Sequence, residues 1–343
     1  MSSGESTRPA ATGSKWSAGP SAGPSTLIRA DRPQTVEGGG GTEASLLELS
    51  TWRSAVEEIG SLLVRVQGDP AAAAADARWL ARHVAGVDPA SWWLGLDSSP
   101  ATHQRQQLRF LVSRRLAGEP VAYLMGKWSF RTLELEVGPG VLVPRPETEQ
   151  VVDVALERLG VSRGGAAREQ DREGLVADLG TGTGAIALAI LSELPSARCW
   201  AVESEPAALA WARRNLDRYP DLSPRLRLCP GEWYRALPLD LMGQLDVVVS
   251  NPPYVSEGEY RSLSGQLGSE PASALVGGAD GMSCVREILD GARSWLRPGG
   301  AVVMEVAESR ADQVVFAAEE QGARSTRVHA DLAGRPRVVV AEW

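Results

Sequence analysis

The sequence predicts an α/β protein, a doubly wound and largely parallel sheet preceded by a small helical bundle and a linking β-hairpin. Three observations lead there. From Gly174 onward strand-like and helix-like stretches alternate, as in a parallel sheet with helices on its faces. The first of those strands runs into the glycine-rich turn Asp178-Leu179-Gly180-Thr181-Gly182-Thr183-Gly184, which opens a helix. Ahead of both, residues 44–118 carry apolar residues at the helical spacing of three and four.

Residues 1–43 are rich in Ser, Gly, Pro, Ala and Thr and lack apolar periodicity, so a disordered tail is expected. The tail has no apolar stretch of secretory-signal type; its Ser and Arg leave an organellar transit peptide open, against the acids Glu5, Asp31 and Glu37. In the next segment, 44–118, Leu46, Leu47, Leu49, Trp52, Val56, Ile59, Leu62, Leu63 and Val66 read as one buried helix face. Further helices are expected over Ala71–Val84, after Asp69-Pro70, and over Thr102–Leu116, ending at Gly118. Residues 119–144 read as a linker. In it Phe130, Leu133, Leu135 and Val137 alternate, and the turn Gly138-Pro139-Gly140 leads into Val141-Leu142-Val143, which together suggest a hairpin. The rest of the chain, 145–343, opens on Pro144-Arg145-Pro146-Glu147-Thr148-Glu149 and a helix over Gln150–Leu159. Arg145 and the two acids serve either the helix start or the entrance of a site. Strands then fall at Leu175–Leu179, Arg198–Glu203, Leu226–Cys229, Asp246–Ser250 and Ala301–Val306. Helices fall at Ala185–Glu193, Pro206–Tyr219, Ser283–Leu296 and Arg310–Gln321. Thr326–His329 and Arg337–Glu342 are two closing strands.

Composition narrows the partners. The 343 residues are 43% hydrophobic and carry a net charge of −8. That balance disfavours non-specific binding to DNA or RNA, which draws on many Lys and Arg contacts. No apolar run approaches the roughly 20 residues that span a bilayer, so no membrane partner is expected. Cys199, Cys229 and Cys284 are scattered and read as reduced interior thiols; His83, His103 and His329 show no ligand spacing, and no metal is expected.

The chemistry concentrates at Val247-Val248-Val249-Ser250-Asn251-Pro252-Pro253-Tyr254. Three β-branched residues form a buried strand, and two prolines then stiffen the chain. An amide and a phenol are thereby held at a strand's carboxyl end, where open α/β sheets bind ligands. Asn251 can accept from a substrate –NH2, a proline carbonyl can accept its second hydrogen, and Tyr254 offers a flat face. Such a device presents a weak nitrogen nucleophile to an electrophile. The motif alone is equally a proline turn that closes a strand.

The glycine turn supplies the context. Its spacing is GxGxG, neither the GxGxxG of dinucleotide sites nor the Gly-Lys-Ser/Thr of a phosphate loop, so a compact adenosyl ligand without a pyrophosphate fits better. Glu203 ends the second strand, placed to accept both ribose hydroxyls. Trp233 either covers the adenine face or packs in the core.

Together GEPVAYLMGKWSF, VLVPRPETE, DLGTGTGAIALA, VSNPPYV and the run from Glu270-Pro271 to Gly281-Met282 carry a resemblance. The chain resembles the protein-(glutamine-N5) methyltransferases that act on peptide-chain release factors (PrmC/HemK type), over about residues 44–343. The resemblance implies a class I S-adenosylmethionine-dependent methyltransferase fold with an antiparallel last strand. It implies S-adenosyl-L-methionine as cofactor, held by Gly180, Thr181, Gly182, Thr183, Gly184, Glu203, Trp233 and Asn251. It places the substrate glutamine, from the GGQ motif of class 1 release factors, on Asn251, Pro252, Pro253 and Tyr254, which are also the catalytic residues. A monomer in a bacterial cytoplasm, or in an organelle, is expected. Glu203 departs from the commoner Asp at its position. Two rivals share features of this pattern: a nucleic-acid N6-adenine methyltransferase, which would need a basic recognition surface, and a non-catalytic adaptor that binds release factors.

Overall fold

The computed structural model describes residues 47–161, 173–263 and 269–343. The tail expected over 1–43 and the start of the first helix at Leu46 lie outside the described residues. All the described residues belong to one compact unit.

The helical region holds α1 (Trp52–Gln67), α2 (Pro70–Ala85), a 3-10 turn (Trp92–Gly95), α3 (Thr102–Leu116) and the short α4 (Val121–Met125). Local chemistry sets the boundaries. Thr51 and Ser54 form a capping box at the start of α1, and Gly68 ends it in the left-handed region at φ 73°. Asp69 caps α2, with Pro70 at its first position. The expected first helix face is corrected at both ends. Leu47 and Leu49 are buried but precede the cap, Leu49 at φ 53°, and Val66 points to solvent. Spacing counted them because buried residues on an extended lead-in can fall in phase with the helix they pack on. Trp52 meets Trp92 edge to face in this core, and Trp79 meets Trp128 likewise. Trp93, by contrast, is exposed.

The hairpin pairs β1 (Lys127–Phe130) with β2 (Leu133–Glu136). Its turn is Arg131-Thr132, with Arg131 at φ 51°, and not Gly138-Pro139-Gly140. That second turn has another task. A Cβ on Gly138 would lie 2.4 Å from Trp211, and Trp211 Nε1 donates to the Pro139 carbonyl at 3.1 Å. The glycine-proline turn therefore lets the chain lie flat on the helix Pro206–Arg218, and Val141–Val143 run on as a strap instead of a strand.

A 3-10 turn (Pro146–Thr148) and α5 (Glu149–Arg158) lead into the sheet. Its strands are β3 (Gly174–Leu179), β4 (Ala197–Glu203), β5 (Leu226–Pro230), β6 (Leu245–Ser250), β7 (Leu296–Glu305), β8 (Ser325–Ala330) and β9 (Pro336–Glu342). The order is β5-β4-β3-β6-β7-β9-β8, and β9 runs opposite to the other six strands. The expected fold, doubly wound with an antiparallel last strand, is the one found. On one face of the sheet pack α5, α6 (Ala185–Glu193) and the hairpin; on the other pack α9 (Ser283–Trp295) and α10 (Ala311–Glu320). Helices α7 (Pro206–Arg218) and α8 (Glu257–Leu263) complete the described set. Among the described residues no helix is long and apolar enough to cross a membrane. Strand order reverses between β3 and β6, and the crevice at their carboxyl ends is where such sheets bind ligands.

Candidate active site

A cavity of about 380 Å³ opens at that crevice. Small-molecule sites commonly hold roughly 300–1,000 Å³. Its floor is the glycine turn. Gly180, Gly182 and Gly184 sit at φ 77°, 58° and 83°, a region that strains any side chain with a Cβ. The Gly180 and Thr181 amides donate to the Val202 carbonyl, which anchors the turn to β4. Below it, Asp178 is fully buried and accepts from Thr181 Oγ1 at 2.6 Å and from the Ala187 amide at 3.2 Å. Burial pushes its carboxyl up to about 7. Gly180, Thr181, Gly182 and Thr183 all line the cavity; Gly184 does not, and instead caps α6.

Glu203 closes the cavity at the end of β4. One carboxylate oxygen accepts from the Gly182 amide and the other from the Glu205 amide, each at 2.9 Å. A carboxylate offers about four lone-pair sites, so both oxygens keep capacity toward a diol. Burial raises its pKa. Trp233 begins a 3-10 turn at φ 43°, and its ring lies beside Gly180, where an added Cβ would meet it at 3.6 Å. Both residues line the cavity. A glycine floor, a carboxylate edge and an indole wall line one cavity that an adenosyl group fits.

Asn251 lines the same cavity, just past β6. Ser250 Oγ donates to the Leu179 carbonyl at 2.6 Å, which pins the end of β6 to the end of β3. Asn251 Nδ2 donates to Thr148 Oγ1 at 3.2 Å, and Thr148 Oγ1 donates to Glu305 at 2.6 Å. Pro253 lines the cavity as well. Pro252 is buried and Tyr254 half-buried, and neither reaches the cavity wall. Burial pushes the Tyr254 phenol up to about 12, with the Glu305 charge adding to it, so at neutral pH it stays protonated.

The flanking motifs brace this arrangement. Tyr123 donates to the Val141 carbonyl, and Val141 lines the cavity. Glu270 accepts from the Val143 amide at 2.9 Å and from Arg145, tying the strap to the segment after α8. Arg145 thus serves an ion pair, while Glu149 accepts from the Arg131 amide in the hairpin turn. Gly277 lies so close to the loop that a Cβ there would sit 2.3 Å from the Pro253 carbonyl oxygen.

Three residues escaped sequence reasoning. Buried Asn215 donates to the Thr183 and Glu136 carbonyls and accepts from the Glu136 amide, joining glycine turn, hairpin and α7. Thr148 reads as part of a helix start, and Glu305 as the end of a strand. Only the distance in sequence between the partners, 103 residues for Asn251 to Thr148 and 157 for Thr148 to Glu305, hid the connection. One expectation is corrected: Cys284 is not interior but half-buried on the cavity wall, whereas Cys199 and Cys229 are buried as expected.

Two family models match the chain, one described as the PrmC N-terminal domain over residues 65–126 and one as the methyltransferase small domain over residues 166–278. Curated proteins named release factor glutamine methyltransferase are similar over most of its length. That of Streptomyces coelicolor is 43% identical over 234 residues, covering 67% of this chain and 78% of that protein. That of Bordetella pertussis is 38% identical over 279 residues, covering 81% of this chain and 98% of that protein. That of Gloeobacter violaceus is 40% identical over 270 residues, covering 78% and 90%.

Proposed function

Since the chain belongs to the release factor glutamine methyltransferase family, we propose that it methylates the side-chain amide nitrogen of the glutamine in the GGQ motif of class 1 peptide-chain release factors, with S-adenosyl-L-methionine as donor. The fold is that of the class I S-adenosylmethionine-dependent methyltransferases. The observation that carries the reading is a carboxamide, Asn251, on the wall of the cavity whose floor is the glycine turn. In this reading Gly180, Thr181, Gly182 and Thr183 hold the methionine part of the donor, Glu203 the ribose hydroxyls and Trp233 the adenine, while Gly184 serves the helix start. The bound donor supplies an electrophilic methyl group on a positively charged sulfur.

The protein's own task is to make a poor nucleophile usable. An amide nitrogen has its lone pair delocalised into the carbonyl. Asn251 Oδ1 accepts one of the substrate N–H bonds and a backbone carbonyl of the Asn251–Pro253 loop accepts the other. Held on both hydrogens, the nitrogen turns its lone pair toward the methyl. Tyr254 supports the loop from behind the cavity wall. The proton leaves to solvent after transfer. The helical region, 44–118, is the part that holds the release factor.

Asn251→Ala removes one acceptor from a preorganised pair, a change worth ~10²–10³ in kcat for comparable sites. The test measures methyl transfer to release factor beside donor binding by calorimetry. The reading expects kcat to collapse with the donor affinity little changed. An equal loss of both removes the role given to Asn251.

A further inference from the structure

Resting on that reading of the site, we propose that Thr148 and Glu305 are positioning residues that fix which end of the Asn251 carboxamide meets the substrate. A carboxamide is almost symmetric in shape, so packing does not choose between its oxygen and its nitrogen. The choice matters here. A substrate –NH2 only donates, and an Asn251 turned over would offer donors to donors.

Counting protons settles the orientation. Thr148 Oγ1 carries one hydrogen and stands 2.6 Å from a Glu305 carboxylate oxygen and 3.2 Å from Asn251 Nδ2. An ionised carboxylate only accepts, so the hydroxyl hydrogen goes to Glu305. Toward Asn251 the hydroxyl then offers only lone pairs, and only the –NH2 end can meet it. Oδ1 is left with no protein partner among the described residues, on a side chain that lines the cavity. Glu305 sits in the last turnless stretch of β7, 3% exposed, where it holds Thr148 from beneath.

The relay reverses when Glu305 gains a proton. A neutral carboxyl can donate to Thr148 Oγ1, the hydroxyl hydrogen then turns to Asn251, and Oδ1 is drawn away from the cavity. Burial pushes the Glu305 carboxyl up to about 7, against the Thr148 hydrogen bond that pulls it back. Glu147 beside Thr148 adds to the push, while Arg337 on β9 and Arg145 on the strap oppose it. The Tyr254 phenol faces the same carboxylate and stays protonated. Turnover therefore rises with pH as Glu305 ionises.

The experiment compares wild type, Thr148→Val, Thr148→Ser and Glu305→Gln in methylation of release factor from about pH 5 to 9, with donor affinity measured at each pH. Thr148→Val keeps the shape and loses the hydroxyl, and kcat is expected to fall ~100-fold, the scale of one misdirected acceptor. Thr148→Ser restores the hydroxyl and most of the rate. Glu305→Gln flattens the rise of kcat through about 7. Donor affinity changes little in all three. A Thr148→Val enzyme at the wild-type rate, a Glu305→Gln profile that keeps the rise, or a loss of donor affinity in step with kcat overturns the relay alone. A wild type that transfers no methyl group to release factor overturns the proposed function and the relay with it.

Discussion

In the proposed relay Asn251 takes its direction from two residues far from it in sequence, Thr148 and Glu305. That has a cost in stability. A carboxyl whose folded pKa lies above its unfolded value supports the fold below the unfolded value and loses that support as pH rises through the folded one. Glu305 has its ordinary value at 4.5 and is held at about 7. The ionised form that directs Asn251 is thus the form the fold tolerates less. Glu305→Gln should gain stability relative to wild type as pH rises from about 5 to 8, by of order 1–3 kcal/mol. Urea denaturation of both proteins across that range measures it; a difference that stays constant with pH contradicts the burial account. At this scale the sequence was informative about chemistry and silent about partners. Asn251 and Glu203 could be named because a motif and a strand end announce them. Asn215, Thr148 and Glu305 carry no local signal, since each is defined by a hydrogen bond to a distant segment.

Among the elements, glycine spacing and hydrophobic period were legible, while turns were not. The parallel strands read as β-branched runs because both faces of the sheet are covered. The hairpin turn was misplaced because Gly138-Pro139-Gly140 carries the stronger turn chemistry, yet its glycines serve the close approach of Trp211 and Ala207 on α7. The first helix was drawn too long because Leu47 and Leu49 pack into the same core from an extended lead-in. A similar close approach governs the substrate loop. The Val255 amide donates to the Leu275 carbonyl, the Gly277 amide to the Val255 carbonyl, and Gly277 presses on Pro253. Gly277→Ala would place a Cβ 2.3 Å from the Pro253 oxygen and 2.9 Å from the Gly281 oxygen, both backbone, so the loop must move. Misplacement on that scale lowers kcat by ~10–100-fold. The glycine turn is untouched, so donor affinity should hold. Single-turnover kinetics with donor titration checks this; an unaltered rate means the loop does not set the geometry of transfer.

For the molecule as a whole, the strand order brings its scattered motifs to one crevice. The glycine turn follows β3, Glu203 ends β4, Trp233 follows β5 and Asn251 follows β6, all at carboxyl ends. The strap from the hairpin and the segment around Glu270 close the crevice from above, joined by the Arg145–Glu270 pair. Fold class was legible because alternation of strands and helices is a property of the whole chain, and a net charge of −8 already weighed against nucleic acid. The most direct measurement offers the protein tritiated S-adenosyl-L-methionine with three acceptors in parallel: a class 1 release factor, the same factor with the GGQ glutamine replaced by alanine, and duplex DNA. The account predicts label in the intact factor alone. Label in DNA, or label that survives replacement of the glutamine, contradicts it.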